Sequence, residues 1–329
     1  MRSRIRTLVL LAGLLTNQRA AAATQTITAP STLSTTAGLG FSVAAVLWSQ
    51  TGESLRVSVS GQPEGLSYRF LRLRPDYGVA TVSGVIPPSK RPREYTLIWT
   101  VSGADGRAAA EARTALTVVP PTNAGGNMAA KVRSLVCRRY RYGIDANEVR
   151  NLGPGSLPHI LAILHDTTCA DSWTGAVAAA GMLGLPDASD ALHAFLWDRF
   201  AGDIRALDHE IYEALFYAPV ALGMLAPSRP DLLDSLIADT DPAHWRTLPW
   251  RYGIHSGRDL GVFMSGRAIL GLSLVGDARA VAALERLSTN PFDPAQLTYI
   301  REAIERQRKV LDRGWQAVRE EERLENQQQ

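Results

Sequence analysis

The sequence predicts a multidomain chain, an all-β sandwich followed by an all-α solenoid of helical hairpins. Three observations predict it: apolar–polar alternation up to about residue 119, a proline- and glycine-rich junction over 120–127, and 3.6-residue periodicity beyond it. Gly276 to Leu287 shows the helical pattern most clearly. Ala280, Val281, Leu284 and Leu287 share one side of a helix, and Asp277 stands at the N-cap, where its carboxylate can accept orphan backbone N–H groups. The preceding helix, Asp259 to Val275, ends just before it, so the two fold back as an antiparallel hairpin. One hairpin cannot bury its own apolar face, which calls for more of them.

With 329 residues and 46% apolar content the chain can bury a core in each of two domains. Residues 1–23 read as a secretory signal peptide: a basic start through Arg6, a short apolar run from Leu8 to Leu15, and small residues from Ala20 to Ala23. That run is too short to span a bilayer, and no later stretch does better. Arg19, close to the cut, leaves an uncleaved N-terminal anchor open. Four arginines lie in this segment, and without them the formal charge falls from +3 to −1. A nucleic-acid partner argued from net charge is thereby excluded. The expected location is periplasmic or secreted.

Residues 24–119 form the β unit. Leu55, Val57 and Val59 alternate with polar residues, as do Tyr95, Leu97 and Trp99, and Asp105-Gly106 supplies a hairpin turn. Pro63-Glu64-Gly65-Leu66, then Ala80-Thr81-Val82-Ser83-Gly84 before Pro87, then Tyr95-Thr96-Leu97, resemble the Ig-like (cadherin-like) modules of bacterial surface proteins. The resemblance spans about residues 53–119 and implies a spacer or adhesive unit. It brings no calcium site, because Asp105 lacks an Asp-x-Asp run. Arg69, Arg72, Arg74, Lys90, Arg91 and Arg93 make this unit locally basic. They suit an anionic surface such as lipopolysaccharide or an acidic glycan; the simpler reading is a solvated edge that blocks strand addition.

Residues 128–325 form the helical unit. Leu157, Ile160, Leu161 and Leu164 make one stripe, with Ser156 as N-cap and Pro158 in the first turn. Further stripes predict helices over 187–200, 203–226, 229–238 and 259–275, and one long helix over 293–322. Arg141-Tyr142-Gly143-Ile144 recurs as Arg251-Tyr252-Gly253-Ile254, which suggests a duplicated pre-helix turn with Asn151 and Asp259 as caps. Turn-separated helix pairs with alanines at their contacts, best at 171–196 and 264–287, resemble HEAT-like repeats of the phycobilisome-lyase type. That resemblance implies a curved face that binds another macromolecule and carries no lyase activity over.

Cys137 and Cys169, in an exported chain, are expected to form one disulfide; metal ligation together with His165 and Asp166 is the weaker alternative, and no metal is expected. Arg267 falls inside the apolar face of its helix and must find a carboxylate such as Asp277. Residues 239–258 lack periodicity and hold His244, Trp245, Arg246, Trp250, Arg251, Tyr252 and His255, a set that suits a sugar, an anion or a protein hot spot, or else a loop folded onto the solenoid edge. His209 and Glu213 share a helix face without the second histidine of a metalloprotease. No Ser–His–Asp order or phosphate loop is present. The expectation is therefore an exported non-catalytic protein with no cofactor, bound to a protein partner of the cell envelope. An envelope polysaccharide is the second class of partner, and a helical-toroid hydrolase using Asp208 or Glu210 the third reading.

Overall fold

The computed structural model describes residues 25–49, 55–74, 76–103, 108–120, 125–137, 144–200, 209–246, 251–252 and 255–328. The signal segment and the Asp105-Gly106 turn lie outside them. Eight strands come first: β1 Gln25–Thr28, β2 Thr32–Thr36, β3 Gly40–Ser49, β4 Arg56–Ser60, β5 Leu66–Arg74, β6 Tyr77–Val85, β7 Arg93–Ser102 and β8 Ala108–Val119. They form two four-stranded sheets, ordered β1-β3-β6-β5 and β2-β8-β7-β4. All pairs are antiparallel except β2 with β8. Phe41, Val43, Ala45, Leu47, Ala80 and Val82 of the first sheet meet Leu97, Trp99, Val101, Leu116 and Val118 of the second. The buried Trp99 indole donates to Thr114 Oγ1 at 3.0 Å, and that hydroxyl donates to Pro30 O at 2.6 Å.

The helical part follows as α1 Gly125–Val136, α2 Ala146–Leu152, α3 Leu157–His165, α4 Trp173–Leu183, α5 Asp187–Phe200, α6 His209–Leu225, α7 Asp231–Asp239, α8 Pro242–Arg246, a two-residue ladder of β9 Arg251–Tyr252 and β10 His255–Ser256, α9 Gly257–Leu272, α10 Ala278–Thr289, α11 Leu297–Arg313 and α12 Trp315–Gln328. Helices α3, α5, α7 and α10 pair with α4, α6, α9 and α11, giving two stacked helical layers. Asp277 caps α10 by accepting from Arg279 N at 2.7 Å, as its position predicts. Other local expectations change. Ser156 caps nothing with its side chain; its hydroxyl donates to Gly153 O at 2.7 Å. Asp145, not Asn151, caps α2, and Asn151 and Asp259 sit within helices. The helix over 293–322 is two, because Gly314 takes a φ of 79° and turns the chain between α11 and α12. The first helix begins at Gly125, inside the stretch read as linker.

The two units share a core. Odd-numbered residues of β3 face the sandwich, whereas Ala44, Val46 and Trp48 face the other way and pack with Tyr77 and Val79 against α3, α5 and the helical core. The central strands β3 and β6 are thus covered on both sides, which accounts for the nearly unbroken apolar run Phe41–Leu47. Each large apolar side chain buried there contributes about 1.5–3 kcal/mol relative to exposure.

Small residues bring α4, α6 and α9 together. A methyl on Gly181 would meet Ala221 Cα at 2.8 Å, and one on Gly223 would meet Gly271 O at 2.1 Å. The second approach leaves no flexible side chain to yield. Gly223→Ala is expected to destabilise the protein by about 1–3 kcal/mol, read from denaturant midpoints at unchanged slope; a midpoint matching the parent would refute backbone contact between α6 and α9.

Candidate functional site

Of the residues expected to bind, His244 and Trp245 are buried, at 0% exposure each. Trp245 stacks on Trp197 at 4.8 Å, and its indole donates to Asp239 O at 2.8 Å. His244 lies parallel to Tyr77 at 5.3 Å, with Nδ1 3.6 Å from Asp239 Oδ1. Residues 239–246 therefore close the junction between sheet and helices, and these two side chains are withdrawn as ligand contacts. A single helical turn, α8, is too short to show periodicity, which is why the sequence reads there as loop. The side chains of Arg246, Arg251, Tyr252 and His255, and all of Trp250, lie outside the described residues.

Around that stack is a sealed polar group. Tyr77 and Ser235 hydroxyls are 3.0 Å apart, and Ser235 Oγ is 3.3 Å from His193 Nε2. A hydroxyl–imidazole pair with a carboxylate nearby would suit nucleophilic chemistry on an open surface. Here Ser235 is 4%, His193 2% and Asp239 0% exposed, so a substrate has no approach. Alongside it, Arg229 grips Asp190 at 2.8 Å and Asp231 at 2.7 Å. Burial opposes the guanidinium's charge, but the hydrogen bonds it donates to the two carboxylates, with their negative charge, outweigh that and raise the Arg229 pKa.

The basic residues of the sandwich do not form one surface. Arg72 is exposed near one end, its guanidinium donating to Leu55 O at 2.6 Å beside the strand that pairs Arg56 with Ser102. Arg93 pairs with Val118 at the opposite end of β7, roughly 30 Å away at ~3.3 Å per residue. Lys90 and Arg91 are exposed in the loop preceding Arg93, and Arg69 is exposed on β5; the Arg74 side chain lies outside the described residues. The expected disulfide is likewise absent. Both cysteines are free. Exposed Cys137 has Sγ 2.8 Å from Ser172 Oγ, and buried Cys169 donates to Asp166 Oδ2 at 3.1 Å, so the two thiols are held by different partners. Among the described residues no three His, Cys, Asp or Glu side chains gather around a metal position. His209 and Glu213 make an exposed pair at 3.1 Å.

What the structure does bring together is an aromatic and arginine-rich corner on α2, α6, α9 and α12. Tyr212 and Phe216, one helical turn apart, have ring centroids 4.4 Å apart, and Phe263 adds its ring 5.9 Å from Phe216 while remaining 42% exposed. Arg267, a turn beyond Phe263, donates from Nε to Phe216 O at 2.9 Å and lies 5.6 Å from the Phe216 ring. It does not reach Asp277, which is engaged by Arg279. Arg319 of α12 donates to Tyr217 Oη at 3.3 Å and also lines a cavity of about 250 Å³ with Asn147, Arg150, Gln316, Glu320 and Arg323. Arg150 bonds Asn147 and Gln316, and Arg323 bonds Glu320 at 2.7 Å. Of these residues, the sequence pattern marks only Arg267, as a cation on an apolar helix face. The rings meet through the packing of α6 on α9, and Gln316, Arg319, Glu320 and Arg323 arrive through the turn at Gly314, which returns α12 to α2 and α6.

No family model and no curated protein matches the chain. Among solved structures, partial likeness is found to the sialic-acid-binding region of a Streptococcus sanguinis SK1 adhesin bound to 3'sLn (20% identity, TM-score 0.28, 31% of each chain). It is also found to an endo-fucoidan hydrolase of glycoside hydrolase family 107 (15%, 0.25, 33% of this chain and 14% of that one) and to the GspB Siglec domain (15%, 0.25, 41% and 75%). The first two alignments span about a third or less of those chains. Likenesses this partial leave function to the chain's own geometry.

The junction makes stability depend on pH. Burial lowers the His193 pKa below 6.5; Asp239 and Asp231 oppose that fall, and Arg229 adds to it. The folded state keeps this imidazole neutral while the unfolded chain takes up a proton, so stability is highest above 6.5 and is lost as pH falls below it, by up to about 1.4 kcal/mol per pH unit. His193→Gln is expected to flatten denaturant-measured stability between pH 7.5 and 5.5; an unchanged slope would clear His193 of the effect.

Proposed function

We propose that this chain is an exported, non-catalytic glycan-binding protein of the cell envelope, which holds its ligand at the corner formed by α2, α6, α9 and α12. One observation carries the reading: α6 presents the ring ladder Tyr212–Phe216, from which Phe263 stands half out, and its next residue, Tyr217, accepts from Arg319, which lines a cavity of amide and guanidinium donors. An exposed ring face takes the apolar side of a pyranose, and fixed polar side chains at its edge select the hydroxyls. At about 250 Å³ the cavity is below the ~300–1,000 Å³ of clefts that enclose drug-sized ligands, which suits one sugar unit of a longer polymer. Export rests on the pattern of residues 1–23. The sealing of Ser235, His193 and Asp239 supports a binding role over a hydrolytic one. Among the described residues no helix is long and apolar enough to cross a membrane.

A protein partner is the second reading, since a packed aromatic ladder flanked by arginine also has hot-spot composition. Titration of the mature chain with envelope oligosaccharides separates the two. Phe263→Ala is expected to weaken saccharide binding about tenfold, the loss of roughly 1.4 kcal/mol, with Tm unchanged. Binding that ignores this substitution would move the ligand elsewhere, and no saccharide binding by the parent chain would leave the protein partner.

A further inference from the structure

The cavity between α2, α4 and α12 has a floor and a rim of different chemistry. The floor is apolar: Ile144 and Met182 line it and are buried, at 8% and 2% exposure. Ala146 of α2 and Ala317 of α12 add methyl groups to its walls. The rim carries Asn147, Arg150 and Gln316, all exposed. Arg150 ties these together. Its Nη2 donates to Asn147 Oδ1 at 2.7 Å, its Nη1 to Gln316 Oε1, and its Nε to Ala146 O at 3.3 Å. A guanidinium only donates, so both amides are fixed with their oxygens towards Arg150. Each amide keeps its two N–H donors, and among the described residues no hydrogen bond uses them. Across the rim, Arg323 donates twice to Glu320, at 2.7 and 3.0 Å, which closes that pair on itself.

Amide donors above an apolar floor suit a group with an acceptor at one end and a methyl at the other. A sugar hydroxyl meets the rim, but on the floor it gives up water for no partner. A carboxylate matches the donors and has no apolar end to cover Ile144 and Met182. We infer that the cavity receives the acetamido group of an N-acetylhexosamine unit, its methyl on Ile144 and Met182 and its carbonyl oxygen accepting from the Asn147 and Gln316 amides. The assignment rests on the glycan-binding reading above and names its substrate class, a glycan of N-acetylated amino sugars rather than of plain hexoses. The turn at Gly314 completes the site, because it brings Gln316 and Ala317 of α12 to the side chains of α2.

The test is calorimetric titration of the mature chain with three probes. They are chitotetraose, cellotetraose (the same linkage with a hydroxyl in place of each acetamido group) and a tetragalacturonate. The parent chain is expected to bind chitotetraose about tenfold more tightly than cellotetraose, the effect of one buried methyl and one hydrogen bond. That preference should persist as salt is raised, because no charge pair makes it. Gln316→Leu removes a donor and Ala317→Phe fills the cavity; both positions are exposed, so each variant is expected to keep the parent Tm while losing the preference. Loss of the preference in either variant supports the assignment, and survival in both overturns it. Equal binding of chitotetraose and cellotetraose by the parent chain, or tighter binding of the tetragalacturonate, overturns the acetamido group while leaving glycan binding standing. Failure of all three probes to bind the parent chain overturns the glycan-binding reading itself.

Discussion

The first sheet has no free face at its central strands β3 and β6, and the rest of the molecule follows from that. Its inner side is closed by the second sheet and its outer side by helices, so Tyr77 ends fully buried with its hydroxyl 3.0 Å from Ser235 and its ring on His244. A phenol in that position must have a partner, because an unmatched buried hydroxyl costs about as much as the hydrogen bond it forgoes. The helical layer supplies one, and in doing so fixes which helices lie over the sheet. Tyr77, Ser235 and His193 then bond in a chain, and the Asp239 carboxylate and His244 ring are buried beside them 3.6 Å apart. His193, Ser235, Tyr77, Asp239 and His244 contain the ingredients of a catalytic group and are sealed by the contact that assembled them.

Close packing sets where function can be placed instead. Gly181, Gly223 and Gly271 let the backbones of α4, α6 and α9 touch, which leaves no groove between these helices for a ligand. Large side chains of the same helices are displaced to the rim. Tyr212, Phe216 and Phe263 gather there, and Arg267 is caught between them with its Nε on the Phe216 carbonyl. A tight interior and a decorated edge are thus two results of the same glycines.

Much of the architecture was legible in the sequence, and the failures have physical causes. Alternation and helical periodicity located the sandwich and most helices, because each reports one buried face. They say nothing of a second buried face, although the run Phe41–Leu47 carried that signal in its lack of polar alternation. Periodicity also runs through Gly314 unbroken, since a stripe of Leu297, Ile300 and Ile304 continues to Trp315 and Val318 whether or not the axis turns. The error mattered: the turn is what carries Arg319 to Tyr217. Composition misled at 239–246, where Trp and His resemble a ligand surface but fill a core junction. It misled again with the basic residues of the sandwich, since Arg72 and Arg93 are near in sequence and stand at opposite ends of the fold. Arg267 was conspicuous as a cation on an apolar face; the partner expected for it, Asp277, was spent on capping α10, where backbone N–H of Arg279 holds the carboxyl below its usual range.

The contrast between Arg229 and Arg267 is the sharpest physical clue the molecule offers. Both side chains are partly buried. Arg229 meets two carboxylates and a serine hydroxyl, so its charge is part of the fold and replacing a partner would strand it. Arg267 meets a carbonyl and an aromatic face, arrangements that hold the side chain in place without neutralising it. A carbonyl and a ring each attract a cation only modestly, and the side chain accordingly keeps part of its exposure to water. One guanidinium is thus a closed part of the fold, and the other ties α9 to α6 while keeping its charge at the surface.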